Sequence, residues 1–201
     1  MNNQDLRICF VGDSFVAGVN DRECFSWTGR LSALAHRRGY NLTQYNLLGI
    51  RRDTSADIAV RWQAEAACRL PDYCKPFVVF SFGVNDTTIE TGGRRLEETQ
   101  SIENTRHILG AARKRYSVLL IGPPPIADAK QNKRTRRLSQ LMSEAAAEEG
   151  VLLFPIFDAL IEDPVWMARS ECGRRRSSAR GGIRGTDGAG RSVAGVVVQI
   201  K

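Results

Sequence analysis

The sequence predicts an α/β fold: a three-layer α/β/α sandwich with a central parallel sheet of about five strands. Two observations predict it. Short apolar runs bounded by Gly or Pro recur along the chain, and segments of helical periodicity fill the gaps between them. The runs are apolar at consecutive positions rather than alternating, which suits strands covered on both faces.

In chain order, residues 6–11 read as a buried strand ending in Gly12-Asp13-Ser14. Residues 26–38 follow as a helix with Trp27, Leu31, Leu34 and Ala35 on one stripe. A weaker strand at 43–48 ends at Gly49, and Asp53-Thr54-Ser55 can cap a helix through residue 69, with Ile58, Trp62 and Ala66 inward. Residues 76–82 form the third strand, ending at Gly83. A helix over 97–116 then turns Ile102, Ile108, Leu109 and Ala112 inward. The fourth strand, 117–121, stops at Gly122-Pro123-Pro124-Pro125. A helix over 133–149, with Leu138, Leu141, Met142 and Ala145 inward, leads to the fifth strand at 151–154. In a parallel sheet of this kind, ligands bind at the carboxyl ends of the strands.

Charge divides the chain. The net charge is +7, but residues 169–201 hold eight basic and two acidic side chains, leaving +1 for residues 1–168. The body is therefore balanced, and nucleic acid is not expected as a partner. The sequence predicts a domain over 1–168 and an atypical Arg/Gly-rich tail over 169–201, where periodicity also stops. The five cysteines show no CxxC pairing, so neither a disulfide framework nor a zinc site is expected. The apolar run behind the polar first residues is too short for a signal-peptide core or a membrane span. The chain reads as soluble and cytoplasmic; its oligomeric state is not legible.

Two motifs fall at strand ends. In Gly12-Asp13-Ser14, a serine on a tight turn leading into a helix can act as a nucleophile; alone, the triplet equally suits a helix cap. In Gly83-Val84-Asn85-Asp86, Asn85 offers a neutral amide that can stabilise an oxyanion without titrating; alone, Asn-Asp suits a turn.

In this order, the two motifs resemble those of the GDSL or SGNH hydrolase family, with similarity from about residue 6 to 166. The first block stands here as Gly12-Asp13-Ser14-Phe15, with Phe in place of the name-giving Leu, and the third as Gly83-Val84-Asn85-Asp86. The resemblance implies a flavodoxin-like SGNH hydrolase fold and a small-molecule ester substrate, with no metal or cofactor. It implies Ser14 as nucleophile, its own N–H and the Asn85 side chain as oxyanion donors, and Asp13, Gly49 and Gly83 around the substrate. The family's second block places a glycine before the next helix start. Registered on Asp53-Thr54-Ser55, that position holds Arg52, and the nearest glycine is Gly49. Any non-proline N–H can donate, so Arg52 is the expected third donor. The Arg51-Arg52 pair would also bring positive charge near the pocket, unless both are simply solvated.

The family's closing Asp-x-x-His, which supplies the base and its orienting carboxylate, is absent. The only histidines, His36 and His107, fall within expected helices, and Asp158 and Asp163 have no histidine to orient. Arg174-Arg175-Arg176-Ser177-Ser178-Ala179 can be encoded CGA CGG CGT TCA TCC GCN. Read one base later, the same letters give Asp-Gly-Val-His-Pro, the family's last block. A frameshift near residues 167–173 is the resulting expectation, and with it a poorly soluble chain of crippled activity. Two alternatives are a non-catalytic binding module on the same scaffold and a variant whose basic tail binds RNA or another anion.

Overall fold

The computed structural model describes residues 5–175, with side chains described through residue 170. Its elements are β1 Leu6–Gly12, α1 Ser26–Arg37, β2 Leu42–Gly49, α2 Ser55–Ala67, β3 Lys75–Ser81, β4 Ile89–Glu90, β5 Gly93–Arg94, α3 Glu98–Ala112, β6 Ser117–Ile121, α4 Ala129–Glu148, β7 Leu152–Phe154, α5 Phe157–Ile161 and α6 Pro164–Arg175.

Five strands form one parallel sheet in the order β2-β1-β3-β6-β7. This is the predicted three-layer architecture, and alternation along each strand decides which layer a side chain joins. Cys9, Val11, Val78, Phe80, Leu120 and Leu153 turn to one face and pack with Ile58, Trp62, Ile108, Leu109, Leu138 and Met142 of α2, α3 and α4. Phe10, Val79 and Ile121 turn to the other, against Trp27 of α1 and Leu160 of α5. T-shaped ring pairs lie on both sides, Trp62 on Phe80 at 5.4 Å and Phe10 on Trp27 at 5.5 Å.

The structure differs from the sequence reading in several places. No helix follows Ser14. The chain instead makes turns to Asn20, with Ala17 N–H on the Asp13 carbonyl and Val19 N–H on the Ser14 carbonyl, and α1 begins at Ser26, where the sequence places it. α4 starts at Ala129 rather than 133 because the Asp128 side chain accepts from Gln131 N–H and caps an earlier turn. α3 stops at Ala112, where the Arg115 and Tyr116 N–H groups both turn back to the Ala112 carbonyl. The β4–β5 hairpin, α5 and α6 were not predicted. α6 crosses the expected boundary at residue 168, and the rest of the 169–201 tail lies outside the described residues. Cys9 and Cys74 are buried, while Cys24 and Cys68 are exposed.

Candidate active site

The site is built at the carboxyl rim of β1, β2 and β3. Asp13 follows β1 and is 1% exposed. One of its carboxylate oxygens accepts the Phe15 N–H at 3.0 Å, and the other accepts Asn85 Nδ2 at 3.2 Å. That second bond joins the two motif loops across 72 residues of sequence. The Asp13 carboxyl is pushed up to about 7, chiefly by burial and in part by the nearby carboxylates of Asp86 and Asp53, against the pull of the Phe15 amide.

Ser14 stands next to Asp13 in the turn and is half-buried. Among the described residues its hydroxyl and its backbone N–H make no hydrogen bond. The turn is fixed from behind. Ser26 Oγ donates to the Val16 carbonyl at 3.0 Å, and Phe15 stacks on Trp166 of α6 with ring centroids 5.7 Å apart.

Asn85 is held from a second side by the Asp53 carbonyl, 2.9 Å from Nδ2. Its loop is anchored to α4, where Gln131 Nε2 donates to the Val84 carbonyl at 2.9 Å and Arg134 Nε to the Thr87 carbonyl at 2.9 Å. The neighbouring Asp86 is buried, and its carboxylate accepts the Ser55 N–H at 2.9 Å, at the N-terminus of α2. Burial pushes this carboxyl upward too, its other oxygen having no partner among the described residues.

The φ of Arg52 is +75°, in the left-handed region that glycine favours. Its N–H is unpaired among the described residues, as an oxyanion donor requires. Its side chain does not stand free as positive charge, because it binds Glu90 of β4. Arg95 Nη1 donates to the Arg52 carbonyl at 2.6 Å and so braces the same loop. Immediately after it, Thr54 and Asp57 form a reciprocal capping box at the start of α2.

Gly49 serves packing. A β-carbon there would lie 2.3 Å from the Ala17 nitrogen and 2.6 Å from the Asp13 carbonyl oxygen, so the Ser14 turn rests directly on it. Gly83 is buried with φ +115°, and a side chain on it would be directed at Met142 of α4. A groove of about 600 Å³ opens beside the start of α4, lined by residues that include Asn132, Arg136, Phe157, Ile161 and Met167. Ser14, Arg52 and Asn85 are not in its lining.

The described residues supply no base for Ser14. His36 and His107 are exposed on α1 and α3. Asp158 is 81% exposed and pairs with Arg136 at 3.0 Å. Asp163 caps α6, accepting the Val165 and Trp166 N–H groups at 2.8 and 3.0 Å. The Arg174–Ala179 stretch, where the other reading frame spells the missing block, runs beyond the residues whose side chains are described. Sequence reasoning missed Arg61, Glu90 and Arg95, whose bonds to Gly12, Leu48 and Arg52 join positions distant in sequence.

Fold and rim together define a class: a doubly covered parallel sheet presenting a serine turn beside an asparagine amide. Residues 10–173 match the GDSL-like Lipase/Acylhydrolase family, and the chain belongs to that family; by that resemblance it is an ester hydrolase. Solved structures of similar fold include LAE5, an alpha/beta hydrolase enzyme from the metagenome of Lake Arreo (20% identity, 76% of this chain and 78% of that one, TM-score 0.63). The acetylxylan esterase Axe2 from Geobacillus stearothermophilus is another (15% identity, 79% and 80%, TM-score 0.65). A member of the lipolytic protein G-D-S-L family from Veillonella parvula is a third (16% identity, 78% and 81%, TM-score 0.64). No curated protein sequence matches the chain. No helix among the described residues is long and apolar enough to cross a membrane.

Proposed function

We propose that this chain is built to cleave carboxylic esters through an acyl-Ser14 intermediate. The observation that carries the reading is the Asp13–Asn85 bond, which draws the serine turn and the asparagine loop onto one rim. The Ser14 oxygen attacks the ester carbonyl, and its hydroxyl proton passes to a base. The new oxyanion is held by the Ser14 N–H, the Arg52 N–H and Asn85 Nδ2, whose longer bond, to Asp13 at 3.2 Å, is exchanged for the oxyanion. Collapse of the tetrahedral species expels the alcohol, which takes the proton from the base, and water then releases the acid from Ser14. Asp13, Gly49 and Gly83 support this pocket rather than react. Among the described residues no three His, Cys, Asp or Glu are grouped to hold a metal ion, and no step above calls for one.

The base is the weak point. As it stands, the chain keeps the oxyanion donors and loses the group that activates Ser14. A residual acceleration of roughly 10³–10⁴-fold over water is the expected level, as in serine proteases stripped of triad members. We attribute the loss to a change of reading frame near residues 167–173. The gene's nucleotide sequence tests this: codons that cannot yield Asp-x-x-His in another frame would end the idea. The four cysteines with described side chains are all unpaired, which supports a cytoplasmic location.

The unbonded Ser14 hydroxyl also favours a second reading, a binding module without turnover. Fluorophosphonate labelling separates the two. Slow labelling of Ser14, abolished in Ser14→Ala, supports the hydrolase; an unlabelled protein supports the binding module.

A further inference from the structure

Building on the hydrolase reading, we propose that Arg61 is a positioning residue that fixes the Ser14 turn and the Asn85 amide relative to each other. Arg61 lies on α2, and its side chain is 15% exposed. Nε donates to the Asp53 carboxylate at 2.7 Å and Nη1 to Glu65 at 2.7 Å. Nη2 donates to two main-chain carbonyls, Gly12 at 2.9 Å and Leu48 at 3.1 Å.

Each partner leads to the site. Gly12 is the last residue of β1, two before Ser14. Leu48 precedes Gly49, on which the Ser14 turn rests. Asp53 is the residue whose carbonyl holds Asn85 Nδ2, and it follows Arg52 directly. One guanidinium is thus bonded to main chain beneath the nucleophile and to the residue that orients the oxyanion donor.

The residue type matters. A guanidinium presents its N–H groups in a rigid planar fork, so acceptors on β1, β2 and the Asp53 loop are held at fixed mutual angles; an ammonium would meet them one at a time. Asp53 and Glu65 balance its charge, so Arg61 is committed inward and is not a binding group for an anionic substrate.

Two substitutions separate positioning from folding: Arg61→Lys keeps the charge beside Asp53 and gives up the fork, while Arg61→Gln removes both. The readouts are the ¹⁵N–¹H resonances of the Ser14 and Arg52 amides and the Asn85 side chain, together with residual hydrolysis of p-nitrophenyl acetate. We expect those resonances to move in both variants while those of β6 and α4 stay in place. We also expect kcat to fall by about 10- to 100-fold at unchanged KM, with Arg61→Lys intermediate. Ser14 and Asn85 signals that stay put in Arg61→Gln would overturn the proposal, as would changes spread evenly over the protein with a lowered Tm, or a loss confined to KM. Fluorophosphonate labelling keeps the two ideas apart. A protein left unlabelled at Ser14 sinks the hydrolase reading, while the Asn85 and Ser14 resonances still judge Arg61.

Discussion

On one face of the sheet, three long helices bury Trp62, Phe80, Ile108, Leu109, Leu120 and Met142 almost completely. On the other, α1 and the short α5 and α6 bury Phe10, Val79, Ile121 and Leu160, but Ile8, Leu31, Leu119, Phe154 and Trp166 remain partly open. Tyr45 and Leu47 of the edge strand, in register with Ile8 and Phe10, extend that second face to solvent at 47% and 38% exposure. The rim divides the same way. Asn85 and the Arg52 loop are braced from the thick side by α2 and α4. The Ser14 turn leans on α1 and α6 through Ser26 and Trp166. The difference teaches that the asparagine half of the proposed site rests on the well-packed layer, and the serine half on the thin one.

The largest expected effect tests that contrast in the core. Trp62→Ala removes a side chain touching Phe80 and Tyr116 on the thick face and is expected to cost about 3–5 kcal/mol. Trp27→Ala, on a face where neighbours can collapse into open space, is expected to cost about 1–3 kcal/mol. Chemical denaturation of both variants measures the gap, and equal costs would break the comparison.

A middle-sized effect lies at the seam between the two halves. Asp13 is held up to about 7, so between its ordinary 3.8 and 7 the folded protein keeps a proton that the unfolded chain has released. Its contribution therefore lowers stability as pH rises through that window and levels off above it. Asp86, raised by burial, acts in the same direction. Asp21 and Asp57, lowered by hydrogen bonds to Arg30 and Thr54, act oppositely, losing stability as pH falls. The difference between the parent and Asp13→Asn isolates the seam: the variant is expected to lose less stability from pH 4 to 7. Parallel profiles would show that Asp13 does not carry a proton there.

The smallest effect sharpens the thick side. Arg52→Gly relieves a left-handed residue worth roughly 1–2 kcal/mol, but gives up an exposed ion pair with Glu90 worth about 0–1 kcal/mol and loosens the unfolded chain by a similar amount. A net change within about 1 kcal/mol is expected, with the N–H still in place. A loss above about 2 kcal/mol would mean that the Arg52 side chain, rather than its backbone, holds the loop.

The same division governs what the sequence revealed. The thick face was legible because α2, α3 and α4 are long enough to repeat an apolar stripe, and every inward residue named on α2 and α3 is buried. α5, at five residues, and the two-residue strands β4 and β5 are too short to show a period, and α6 has only a weak one. Within the proposed site, the loops of Ser14 and Asn85 were marked by their motifs, and they meet through the Asp13–Asn85 bond. Nothing in the residue type announces the left-handed backbone at Arg52, a conformation that glycine favours. Arg61 reaches Gly12 across 49 residues, and no local pattern encodes a contact that only the folded sheet creates.

The most direct test of the shared rim is a crystal structure of the protein after reaction with a fluorophosphonate. The expected result is phosphorus bonded to Ser14 Oγ, with a phosphonyl oxygen about 2.7–3.1 Å from both the Arg52 nitrogen and Asn85 Nδ2. Phosphorus on another residue, or an Asn85 amide directed away from the adduct, would contradict it.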